Sequence, residues 1–436
     1  MQAGEVVNQI EGWPSENRPA LHTACRDFFD MSQQAGPARD ATAFCRKELE
    51  KIQSFLEATD FHTLVVIGIG GSYLGPKAHY QALQAFLQSG KRVYFLANID
   101  PDESVEIMRE LKDLAGTFVA VISKSGGTLE TVVNEEVVRS HFMAAGLDAQ
   151  KHFVAVTTCK SKLDDPCLYR ERFYLGEWVG GRFSSTSACG LLPMAFAFGM
   201  DVVWEFLRGA HAMDRLALCS SLQENLPLLA ALLGVWNRNF LGYGAEAILP
   251  YSHALQYYPL HLQQLAMESN GKRVQKSGAL VDFATCPILW GEVGTNAQHS
   301  FFQLLHQGNA SSSLVFLGCK EPSQGGASKD SQEKLLANLF AQMICLAPGQ
   351  DAQNPNRIFP GNRPSHLLFA EKLDPQTLGK FLAFFEHKVV FQGFLWNINS
   401  FDQEGVQLGK ILATKILQDW QEQQPYPLAR AYLEWV

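Results

Sequence analysis

Residues 64–69 read Leu-Val-Val-Ile-Gly-Ile, and further glycines stand at 70 and 71. An unbroken apolar, β-branched run without alternation marks a strand buried on both faces, which is the situation of a parallel sheet covered by helices. The glycines then turn the chain out of the strand. Pro76–Ser89 has a helical pattern and ends near Gly90. Arg92–Ala97, Thr117–Ser123 and His152–Thr157 repeat the apolar strand pattern, and a helix through Val138 separates the last two. Strands alternating with helices predict a doubly wound α/β unit.

Residues 190–245 are rich in Leu, Ala, Met and Phe and read as helical. A second set of strand-like segments follows at Ala247–Pro250, Ile288–Trp290, Ser313–Gly318 and Ser365–Phe369. The expected organisation is an N-terminal segment 1–60, a first α/β domain 61–210, a second 211–400 and a C-terminal helical segment 401–436. The apolar tract Leu191–Leu207 is interrupted by Pro193, Gly199, Asp201 and Glu205, so no membrane span is expected. The start has neither a basic n-region nor an apolar h-region, so no signal peptide is expected. A net charge of -8 argues against non-specific nucleic-acid binding. The nine cysteines are odd in number and form no CxxC pair, which favours a reducing, cytoplasmic compartment over a disulfide framework or zinc knuckle.

Two loops have the composition of anion sites. Gly68-Ile-Gly-Gly-Ser-Tyr-Leu-Gly75 follows a strand directly, where backbone N–H groups can approach an anion. Its spacing is not GxGxxG, so a nicotinamide dinucleotide is disfavoured. Ser123-Lys-Ser-Gly-Gly-Thr128 supplies three hydroxyls and two bare glycines at a helix start, which suits a phosphate; the competing reading is a helix cap. Arg182 follows two glycines and would be a bidentate oxyanion partner or an ordinary surface arginine. Glu268, His299, Gln403 and Lys410 sit in polar motifs where each, taken singly, is more often a solvated or structural residue. The histidines show no HxH or HExxH spacing, so no metal site is expected.

Taken together and in order, these motifs resemble one family, the phosphoglucose isomerases. The matching blocks are VVIGIGGSYLGPKA, SKSGGTLET, GGRFSSTSACGLLP, MESNGK, GEVGTNAQHSFFQLLHQG, GNRPS and FDQEGVQLGK, with NRPALHTACR from Asn17. The resemblance implies two sugar-isomerase (SIS-type) α/β domains with mostly parallel sheets, and a homodimer with shared active sites. It implies a sugar phosphate substrate, no cofactor, and no nucleic-acid or membrane partner. By the same resemblance Gly71 and Ser72 belong to the substrate loop, and Ser123, Lys124, Ser125 and Thr128 cradle its phosphate. Arg182 stabilises an enediolate, and Gln264 and Gln403 contact substrate. Glu268 is the proton-transfer base. His299, from the neighbouring subunit, and Lys410 serve ring opening, with Glu130 orienting the histidine. The N-terminal arm is expected to be shortened relative to the family, and Gly127 stands where a hydroxyl residue is common.

The implied reaction converts glucose 6-phosphate to fructose 6-phosphate through a cis-enediol. A carboxylate is the natural shuttle for a proton beside a carbonyl, and a fixed cation is the natural partner of the enediolate. A non-catalytic sugar-phosphate-binding module of the same fold is the alternative. It would need the Ser123–Thr128 loop but not Glu268, His299 and Lys410, all of which are present.

Overall fold

The computed structural model describes residues 4–29, 36–309 and 312–421. The remainder of the expected C-terminal segment 401–436 lies outside the described residues. A short antiparallel pair, β1 (Val6–Asn8) and β2 (Arg18–Pro19), precedes a helix over Gly36–Glu57. The first main sheet then contains β3 (Thr63–Ile67), β4 (Arg92–Leu96), β5 (Thr117–Ile122), β6 (Phe153–Thr157) and β7 (Glu171–Tyr174). The second contains β8 (Ala245–Pro250), β9 (Ile288–Gly291), β10 (Ser312–Glu321) and β11 (Ser365–Lys372).

Both main sheets are parallel throughout and wound the same way. Strand order is β4-β3-β5-β6-β7 in one and β11-β10-β8-β9 in the other. In each, the first strand lies inside the sheet and later strands add on either side. The connections therefore leave β3 and β5 towards opposite faces, and a crevice opens beyond their carboxyl ends. Ligands of doubly wound sheets bind at such a switch point.

Strand register explains the continuous apolar runs. Leu64 and Val66 enter a core shared with the helices Ala188–Phe198, Met200–Ala217 and Pro375–Leu395, whereas Val65 and Ile67 enter a separate core on the other face. The shared core also takes Ile248, Val315 and Leu317 from the second sheet, so the three helices form the layer between the sheets. The helix Ala188–Phe198 is buried on every side. It is separated from Met200–Ala217 by Gly199, whose φ of +89 ends one helix and starts the next. Among the described residues no helix is long and apolar enough to cross a membrane.

Three local expectations change. The helix expected over Pro76–Ser89 runs Leu74–Ala82 and tightens to a 3-10 turn at Gln84–Phe86. The half-buried edge strand β7, Glu-Arg-Phe-Tyr, lacks an apolar run and gave no sequence signal. Residues 1–60 also place a buried turn, His22–Cys25, against the inter-sheet helices: Arg26 donates to Asp214 at 2.8 and 2.7 Å and pairs with Glu386.

Candidate active site

The glycine loop after β3 is built by close approach. Gly71 packs so tightly on the turn at Gly181 that a Cβ on it would stand 2.0 Å from the Gly181 carbonyl oxygen. Only a residue without a side chain allows that contact, and the contact locates the turn Gly181–Phe183 that carries Arg182. Ser72 follows in the same 3-10 turn, close to Cys189, whose thiol burial pushes up to about 11 while hydrogen bonds with Ser184 and Ser72 oppose the shift. Behind the turn, His22 stacks on Phe183 with ring centroids 4.5 Å apart.

The loop after β5 is the second wall. Gly126, at φ +69, lies so near the backbone of Lys162 and Leu163 that a Cβ would clash with both. Its N–H donates to Ser123 Oγ at 3.1 Å, and the Gly127 N–H donates to Ser125 Oγ at 3.3 Å. Thr128 occupies the N-cap position of the helix Leu129–Ala144 but its side chain makes no cap bond; its hydroxyl lies 3.1 Å from Ser123 Oγ. The simple cap reading therefore does not describe this loop. Hydroxyls and N–H groups collect at a helix start, an arrangement that favours an anion. Lys124 extends away from this cluster. Its ammonium donates to the carbonyls of Glu177 and Val179, both at 2.8 Å, and burial lowers its pKa to about 8. Lys124 thus ties the loop to the chain just before Gly180 and Arg182.

Arg182 is 2 % exposed, which removes the surface-arginine reading. Its Nε donates to Ser269 Oγ at 2.6 Å, and its Nη2 donates to the carbonyls of Ser400 and Asp402 at 2.6 and 2.9 Å. Its Nη1 points to Gln403 Oε1 at 3.4 Å and to Glu268 Oε2 at 3.7 Å. Burial lowers the Arg182 pKa, opposed by the charges of Glu268 and Asp402.

Glu268 closes a π-helical turn, Gln264–Glu268, that continues the helix Tyr258–Gln263. Turns of this kind inside α-helices recur at functional sites. Here the turn puts Gln264 Nε2 2.9 Å from Glu268 Oε2 and near Gly70 of the first loop. The Glu268 side chain keeps 20 % exposure, and a cavity of about 490 Å³ opens beside it, lined also by Lys272, Asp402 and Gln403. Gly70, Gly71, Arg182, Gln264, Glu268 and Gln403 are therefore joined by direct contacts, with the Ser123–Thr128 loop attached through Lys124.

Three residues stand apart. His299 is exposed at the end of the short helix Gly294–Gln298, and Lys410 is exposed on the helix Gln407–Gln421. Glu130 lies half-buried in the first turn of Leu129–Ala144. Among the described residues no hydrogen bond or ion pair joins any of them to Glu268 or to one another. Conversely, Ser269, Lys272 and Asp402 hold Arg182 and the Glu268 backbone but were given no role by sequence. The available signal was their position inside the MESNGK and FDQEG blocks.

Two doubly wound parallel sheets, with anion-type loops at a switch point facing a carboxylate and a buried guanidinium, define a sugar-isomerase type of α/β protein. The phosphoglucose isomerase family model matches residues 1–426. The glucose-6-phosphate isomerase of Protochlamydia amoebophila (strain UWE25) is 53% identical over 448 residues, covering 100% of this chain and 83% of the relative. That of Chlamydia caviae is 52% identical, covering 97% and 81%. The crystal structure of a glucose-6-phosphate isomerase from Chlamydia trachomatis superposes with a TM-score of 0.95 at 49% identity, covering 99% of this chain and 84% of that one. A hypothetical protein from Thermus thermophilus superposes at 0.72 with 28% identity, covering 91% and 94%. The chain belongs to the phosphoglucose isomerase family.

Proposed function

We propose that this chain interconverts glucose 6-phosphate and fructose 6-phosphate by acid/base chemistry through a cis-enediol. The observation that carries the reading is Glu268 held beside Arg182: a partly open carboxylate 3.7 Å from a buried guanidinium. The carboxylate moves the proton between C1 and C2. The guanidinium, which cannot itself act as a competing base near neutrality, stabilises the enediolate oxygen. No net redox change occurs, so the step needs no nicotinamide. The names of the relatives support the substrate.

In this reading Ser123, Ser125 and Thr128 bind the phosphate through hydroxyls and the glycine N–H groups, with Lys124 bracing the loop. Gly71, Ser72, Gln264 and Gln403 border the sugar. His299 and Lys410 serve ring opening, with Glu130 orienting the histidine. The family resemblance implies that His299 is delivered by a second subunit, which makes the working unit a homodimer; among the described residues no hydrogen bond or ion pair ties His299 to Glu268 within one chain. All nine cysteines are free thiols, which suits a reducing compartment, and we place the chain in the cytoplasm. A coupled assay of the purified chain on fructose 6-phosphate tests the reading. Formation of glucose 6-phosphate is expected; none from folded protein refutes it.

A further inference from the structure

Lys272 lies four residues beyond Glu268, where the helical stretch ends. Its side chain is 17% exposed and that of Asp402 is 15% exposed. The Lys272 ammonium donates to the Glu268 carbonyl at 3.0 Å and to the Asp402 carbonyl at 2.8 Å, and lies 2.7 Å from Asp402 Oδ1. An ammonium has three protons, and all three have protein acceptors here. None is left for a substrate, although Lys272 lines the cavity beside Glu268.

The other side of the pair is equally anchored. Asp402 Oδ2 accepts from Asn399 Nδ2 at 3.0 Å, and Asn399 Oδ1 accepts from the Phe401 N–H at 3.1 Å. The loop 399–403 is thus a closed turn, and Lys272 fastens it to the backbone of Glu268. The same loop supplies the Ser400 and Asp402 carbonyls that hold Arg182 Nη2, and carries Gln403. Arg182 and Glu268 come from distant chain segments: Ser269, next to Glu268, holds the Arg182 Nε at 2.6 Å, while this loop holds the Nη2 end, so the 3.7 Å spacing from Nη1 to Glu268 depends on both anchors.

We propose that Lys272, paired with Asp402, is a positioning residue for the isomerisation: by fixing the loop that holds the Nη2 end of Arg182, it completes the placement, begun by Ser269, of the guanidinium that stabilises the enediolate against the carboxylate that moves the proton. The inference rests on the reading of Glu268 and Arg182 given above. It assigns Lys272 no contact with substrate. Its loss leaves the Ser123–Thr128 loop untouched, so ground-state binding through the phosphate persists while the reacting geometry loosens. A misplacement of about 1 Å at the reacting groups costs on the order of 100-fold in rate.

The test is steady-state kinetics on fructose 6-phosphate with the full chain and its Lys272→Met, Lys272→Arg and Asp402→Asn variants, folding being checked by circular dichroism. Lys272→Met is expected to lower kcat by roughly 10- to 100-fold with KM within about threefold of the unsubstituted chain. Lys272→Arg, which keeps the charge and can reach the same acceptors, is expected to recover most of that loss. A kcat for Lys272→Met within about twofold of the unsubstituted chain, an effect confined to KM, or no recovery in Lys272→Arg overturns the inference. Should Lys272→Met not fold, Asp402→Asn, which keeps the size of the side chain, carries the same expectation for kcat, and an unchanged kcat in it overturns the inference equally. An unsubstituted chain without isomerase activity instead refutes the underlying reading.

Discussion

Lowering the pH should destabilise this fold through a histidine pair that lies behind the site. His79, on the helix that follows the glycine loop, and His261, on the helix that leads into Gln264, pack with ring centroids 5.8 Å apart. They are 1% and 2% exposed, and neither ring nitrogen of His79 nor Nε2 of His261 has a protein partner. Burial lowers the His261 pKa from 6.5 to about 4; burial, and then the neighbouring His261, lowers that of His79. The sign follows from linkage. The unfolded chain takes up a proton near 6.5 that the folded chain refuses, so stability falls as pH drops below 6.5, until the folded value is reached. At pH 5, about 1.5 pH units below the unfolded value, His261 contributes a loss of about 2 kcal/mol at roughly 1.4 kcal/mol per unit. That is a large part of a typical total of about 5–15 kcal/mol. Urea unfolding midpoints at pH 7, 6 and 5 measure the loss. His261→Gln, which does not titrate, should lose about 2 kcal/mol less than the unsubstituted chain over that interval, whatever its absolute stability. Carboxylates elsewhere act equally in both and cancel in the difference. Identical pH losses in the two proteins would refute the reasoning.

Thr128→Ala removes an uncharged donor from a charged ligand, worth about 1.5–3 kcal/mol, so KM for fructose 6-phosphate should rise about 10- to 100-fold. Unphosphorylated fructose should be a very poor substrate, and equal turnover of both sugars would rule out a phosphate-anchored site. Glu268→Gln and His299→Ala chains, each inactive alone, should regain activity when dissociated and reassociated together. One site of the mixed dimer then carries both native residues, and demonstrated heterodimers without activity would mean that His299 acts within its own chain rather than in its partner's site.

The sheets were legible because their central strands are buried on both faces. Leu64–Ile67 and Phe118–Ile122 show this as unbroken apolar runs. The edge strand β7 was not legible, because Glu171–Tyr174 meets solvent along one side and carries polar residues. The two loops were legible because their glycines stand directly after apolar strands: Gly126 answers a local demand for positive φ, and Gly71 leaves room for the Gly181 backbone. Arg182 was ambiguous for the opposite reason. Its burial is made by Ser269, Ser400 and Asp402, which arrive from 87 to 220 residues away, and no local pattern announces them. Lys272 was missed likewise, since a lysine beside a glycine reads as solvated until the Asp402 loop folds over it. His299, Glu130 and Lys410 rested on family resemblance, and among the described residues no hydrogen bond or ion pair joins them to Glu268.

The central claim, that Glu268 is the base of an aldose–ketose isomerisation, meets its most direct test in Glu268→Gln assayed on fructose 6-phosphate. The substitution keeps the size and the hydrogen-bonding capacity of the side chain and removes the ability to take a proton. Loss of a general base costs roughly 10²–10⁴-fold, so kcat should fall by that factor with KM little changed. A kcat near that of the unsubstituted chain would contradict the account.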